Sequence, residues 1–137
     1  MKHNSLLCLL FLCSLLTIGA RAGDLGKDLN AAPSPEAIKL VTEAVYLSGV
    51  DRSEEALTAV KRAISIAPNY VRAHIEYFWI RAFSRGEGIQ VFDEYQSLIK
   101  KEPDNPVYLM AAYSREPVTR SRQAFDKIVA LAPDWAW

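Results

Sequence analysis

Ala56-Leu57, Val60, Ala63-Ile64 and Pro68 are followed thirty-five residues later by Val91-Phe92, Tyr95, Leu98-Ile99 and Pro103. A third copy closes on Phe125, Ile128-Val129 and Pro133. Each segment spaces its apolar side chains along one helical face and stops at proline, which costs about 3 kcal/mol inside a helix. A repeated helix with one apolar face cannot bury that face alone, so the copies must stack on one another. This predicts an all-α superhelix of αα-hairpins, a solenoid of about three units, with a binding role.

Residues 1–22 read as an export leader rather than as fold. Lys2 and His3 open it, Leu6 to Ile18 carries no charge, and Ala20-Arg21-Ala22 has the small-x-small pattern of a signal-peptidase site. Thirteen residues rise only about 20 Å as a helix, short of a hydrocarbon core about 30 Å thick, so cleavage is expected and membrane insertion is not. Cys8 and Cys13 both lie in this leader, leaving the mature chain without a thiol for a disulfide, a metal or nucleophilic attack. An exported protein without disulfides suits the bacterial periplasm at least as well as a secreted setting. Residues 23–34 mix Gly, Asp, Asn and Pro without period and read as a flexible linker.

Lys2 and Arg21 leave with the leader, so fourteen basic side chains face sixteen acidic ones, a net charge of about −2. The signs alternate along the helices as on solvated faces, and nucleic acid is not an expected partner. The 115 residues left are the 23–34 linker and one domain, 35–137, divided near 35–69, 70–104 and 105–133, with 134–137 opening a fourth unit.

Ser34-Pro35-Glu36 predicts a helix start, with a hydroxyl cap, a proline at the first helical position and a carboxylate near the helix dipole. That helix runs to Gly49 with two candidate inward rows, Ile38/Val41/Val45 and Leu40/Ala44/Leu47. Asp51 or Ser53, with Glu54 as a capping-box partner, opens the second helix, which Pro68 ends. Asn69 caps a third, residues 70–84, carrying the rows Ile75/Phe78/Trp79/Ala82 and Ala73/Tyr77/Ile80, so that it lies between neighbours. Gly86 and Gly88 turn the chain into a fourth helix, 89–101, closed by Pro103. Asn105-Pro106 opens a fifth through Tyr113, Pro117 interrupts, and a sixth runs 119–131 before Pro133.

These residues resemble the tetratricopeptide repeat, a unit of about 34 residues with the pattern W-x2-L-G-x2-Y, A-x3-F and P. Second helices carry the likeness: Ala56-x3-Val60, Ala63, Pro68; Val91-x3-Tyr95, Leu98, Pro103; Ser121-x3-Phe125, Ile128, Pro133. In the middle unit Trp79 takes a place the family gives to a small residue. The resemblance implies a right-handed superhelix whose first helices line a concave groove for an extended peptide or a partner's helix. Ala73, Glu76, Tyr77, Ile80 and Phe83, with Tyr108 and Ala111 in the next unit, are then the expected contact residues. Tyrosines beside Glu76 suit an apolar or weakly basic protein or peptide partner. The family's Lys/Asn/Arg carboxylate clamp has no counterpart, because Val41 and Val45, or their immediate neighbours, and Tyr77 stand in those places.

No catalytic residue, cofactor or metal is expected. His74 is the sole histidine after the leader and reads as a helix-edge residue; Gly86-Glu87-Gly88 lacks the third glycine and preceding strand of a dinucleotide fingerprint. Glu54-Glu55 and Asp93-Glu94 are adjacent on helices and point about 100° apart, so neither pair converges. The expectation is a noncatalytic exported scaffold. The alternative, motivated by Trp135 and Trp137 starting a further unit, is the N-terminal module of a longer exported enzyme. An uncapped last helix bearing Phe125 and Val129 would also permit self-association.

Overall fold

The computed structural model describes residues 33–114 and 118–133. The leader, most of the linker, Pro117 and the start of a fourth unit lie outside the described residues. Among the described residues every regular element is helical: α1 (Pro35–Gly49), α2 (Ser53–Ile66), α3 (Val71–Trp79), α4 (Gly88–Lys101), α5 (Pro106–Tyr113) and α6 (Val118–Leu131). A π turn, Ile80–Ser84, extends α3.

The helix ends follow from local chemistry where proline helps to set them. Ser34 Oγ accepts the Ala37 amide at 3.2 Å with Pro35 beside it, satisfying a donor that the first turn leaves unpaired. Asn105 repeats the device more deeply. Its Oδ1 accepts the Val107 amide at 3.0 Å, its Nδ2 donates to Glu102 Oε2 at 3.0 Å, and its side chain is buried ahead of Pro106. α2, α4 and α6 all stop two residues before Pro68, Pro103 and Pro133.

Two expected caps are absent. Asp51 does not cap α2; it terminates α1. Its φ of 60° is left-handed, and the Arg52 amide beyond it reaches back to the Leu47 carbonyl at 2.9 Å, the pattern in which a left-handed residue closes a helix. α2 begins after Arg52 with no side-chain cap, Arg52 gripping Glu55 while Glu54 pairs with Arg85. Asn69 likewise sits in a turn, where the Tyr70 amide bonds the Ala67 carbonyl at 3.0 Å, and α3 starts uncapped after Tyr70.

A left-handed aspartate carries backbone strain that glycine does not. Asp51→Gly should therefore raise stability by roughly 0.5–1 kcal/mol, read as an upward shift of the urea midpoint at unchanged slope. A downward shift would mean that the carboxylate itself holds the turn.

Packing follows the units. α1 lies along α2, and α3 packs on both; α5 packs on α3, α4 and α6. Each first helix thus touches the first helix of the following pair. On α1 the Leu40/Ala44/Leu47 row turns inward with Ala37 and Val41, whereas Ile38 and Val45 remain 43% and 41% exposed. Ala44, Ala56, Ala63 and Ala73 are fully buried, so small side chains line the seams where helices meet. One cluster runs from Val41 through Val60, Tyr77 and Tyr95 to Ala112, and a smaller one joins Val107 and Ala132 with Val71 and Tyr108. Each large apolar side chain so buried contributes about 1.5–3 kcal/mol.

Candidate functional site

α3 occupies the centre of the array, covered by α1 and α2 on one side and α5 on another. That position decides the fate of the expected groove. Ala73, Tyr77 and Ile80, spaced i, i+4, i+7, are buried in the main cluster, as is Ala111 on α5. The row predicted to face a partner faces other helices instead. Glu76 is half-buried and holds Arg72 Nε at 2.5 Å. Tyr108 is half-buried against His74, ring centroids 5.6 Å apart. Phe83 alone of the seven is widely open, 66% exposed.

What the structure gathers around α3 is an aromatic knot on Tyr95. This α4 side chain is 1% exposed, with the rings of His74, Tyr77, Phe78 and Tyr108 at 5.9, 6.4, 5.9 and 6.3 Å. Its edge-on and tilted neighbours suit the ring quadrupole. Burial pushes the Tyr95 hydroxyl well above the usual phenol range, and the nearby Glu94 charge adds to the shift.

His74 lies inside this knot, 5% exposed, rather than at a helix edge. Nε2 is 2.8 Å from the Pro68 carbonyl and Nδ1 is 2.9 Å from Tyr95 Oη. A carbonyl can only accept, so Nε2 carries the proton and Nδ1 accepts from the tyrosine. Both nitrogens are thus committed to the fold, and neither is free to serve as a general base. The sequence signal was available in principle: His74 falls three residues before Tyr77 on the helical side that the core covers.

Beside the knot, Arg81 joins the π turn to α4. Its Nε meets Glu87 at 2.6 Å; its Nη1 meets Glu94 at 2.6 Å and the Tyr77 hydroxyl at 2.8 Å. Burial alone would lower the guanidinium pKa, but the bonds to Tyr77 and Glu87 and the Glu94 charge leave it raised. The Arg85 and Arg81 bonds hold the Glu87 carboxyl below its ordinary range. Every charge in this network has a partner, so it fastens the turn and offers no unpaired anion site.

The surface beside it is apolar. Trp79, the last residue of α3, stacks on Phe83 with centroids 4.1 Å apart and planes 27° from parallel. The indole that stands where the resemblance expects a small side chain is half-buried just where the helix widens. Ser48 and Ser84 hydroxyls, 3.0 Å apart, join the end of α1 to the π turn. Val45 is one helical turn before Ser48, and Phe83 directly precedes Ser84. Ile38, Val45 and Tyr46 on α1 and Phe83 on the π turn are thus among the large hydrophobic side chains that the first helices of two successive units show to solvent.

No family model matches the chain, and no curated protein or solved structure matches it either.

Proposed function

We propose that this chain is a noncatalytic, exported scaffold of tetratricopeptide-like repeats that binds another protein or peptide. The observation that carries the reading is the stacking of first helices, α1 on α3 and α3 on α5, with Ile38, Val45 and Phe83 left exposed on them. Stacked hairpins that leave Ile38, Val45 and Phe83 open on first helices, alongside the exposed Ile66, Ile89 and Val129 of second helices, support a solenoid that docks a partner. The leader-like pattern of residues 1–22 supports an exported location.

The contact set differs from a groove centred on Tyr77 and Ile80. Phe83 remains in it, joined by Ile38 and Val45, with Glu76 and its exposed partner Arg72 supplying polarity. Aromatic and aliphatic anchors of this kind carry most of the energy in an interface, so one or two truncations suffice to test it.

Tagged full chain, used to co-purify partners from the compartment in which it resides, should retain a specific protein or peptide. Phe83→Ser and Val45→Ser together should reduce that recovery about tenfold or more while helical circular dichroism stays unchanged, since both side chains are exposed. Recovery indifferent to both changes would remove this face from the proposal. Repeated absence of any specific partner would remove the scaffold reading.

A further inference from the structure

His74 is a buried imidazole that ties the turn leaving α2 to α4, and the binding role does not use it. Through Nε2 it holds the turn leaving α2, at the Pro68 carbonyl; through Nδ1 it holds α4, at Tyr95. α3 and its π turn also meet α4 through the rings of Tyr77 and Phe78 on Tyr95 and through the Tyr77 hydroxyl and Arg81 on Glu94. The groups facing the imidazole are Tyr95 from α4, Tyr108 from α5 and the Pro68 carbonyl, while α1 and α2 bury only alanine, valine and leucine. The nearest charges are spoken for. Glu94 meets Tyr77 and Arg81, Glu102 meets Asn105, and Glu76 meets Arg72. Among the described residues no carboxylate bonds the imidazole.

We propose that His74 is an acid-operated latch on the seam between α3 and α4, closed when the ring is neutral and released when it takes a second proton. The hydrogen bonds themselves can survive protonation. Nδ1–H would donate to Tyr95 Oη, and the tyrosine proton would swing to the His74 carbonyl, already 3.3 Å away. What cannot be made good is the charge, because a cation 5% exposed is nearly stripped of solvent and no carboxylate among the described residues bonds it. Relief comes from withdrawing the ring from Tyr95, which parts α3 from α4. The same desolvation holds the imidazole below its ordinary pKa, with the Pro68 bond offsetting it in part.

The direction with pH follows from proton counting. A group with a lowered folded pKa binds more protons when released, so acid favours release: the latch holds above the free-imidazole pKa of about 6.5 and weakens as pH falls below it. Glu55 and Glu87, both lowered carboxylates, act in a separate, more acidic range. This proposal is independent of partner binding.

The test uses full-length chain carrying His3→Gln, so that His74 gives the only imidazole signal. Its proton resonances, followed by NMR, should titrate below pH 6.5. Amide protection in α3 and α4 should fall between pH 7.5 and 5.0 while α1 and α2 keep theirs. The opening constant should rise by up to about thirtyfold, the limit for a site that takes its proton only when open. Adding His74→Gln, which can donate to Pro68 and accept from Tyr95 but not titrate, should flatten that dependence. An imidazole titrating at or above 6.5, or an unchanged pH response in the His74→Gln chain, overturns the latch. Should the glutamine chain fail to fold, the resonance titration decides alone.

Discussion

Tyr95→Ala should cost about 3–5 kcal/mol, the range for truncating a fully buried aromatic side chain. The phenol ring is touched by four others and carries the hydroxyl that His74 accepts, so no single neighbour can close the cavity. Domains of this size are stable by about 5–15 kcal/mol, so a large share of the reserve would go. Tyr95→Phe isolates the polar share. It keeps the ring but leaves Nδ1 of His74 without its donor, for an expected loss of about 1–2 kcal/mol. Urea unfolding followed by circular dichroism gives both values. A loss below about 1 kcal/mol for the alanine change would show that the units do not depend on the aromatic knot.

Ala56→Leu should also destabilise, by a smaller amount and for the opposite reason. Ala56 is fully buried on α2 within the cluster that also holds Ala44 of α1, and three extra carbons there must force side chains off rotamer or push helices apart. The expected cost is about 1–3 kcal/mol, a fall of about 5 °C or more in Tm for a domain of roughly 100 residues. Thr58→Leu, at an exposed position two residues along, is the control and should stay within about 0.5 kcal/mol. If the two changes behave alike, α1 and α2 are not in close contact at Ala56.

The helices of this chain were legible because their signals are local. Pro35, Pro68, Pro103, Pro106 and Pro133 mark starts and stops by missing amides and fixed φ, and Ser34 and Asn105 cap where the next residue is proline. Asp51 and Asn69 were misread because their side chains are equally at home in turns, and only the backbone path decides between cap and turn. On α1 two apolar rows were open, and packing against α2 and α3 selected Leu40/Ala44/Leu47. The groove was the least legible part. That α3 is apolar on two sides is written in its residues; that neighbouring helices bury the Ala73/Tyr77/Ile80 row depends on packing between segments distant in the chain. Nothing in the periodicity announces the π turn, since a hydrogen bond lengthened by one residue leaves the pattern of residue types unchanged.

The π turn gives the array an asymmetry that unbroken helices lack. Winding more residues into each turn, it changes the azimuth at which side chains leave the axis, and within it Phe83 reaches solvent while Ile80 stays locked among neighbours. One hairpin can therefore carry a locked side chain and an open one within the same turn of a single rod.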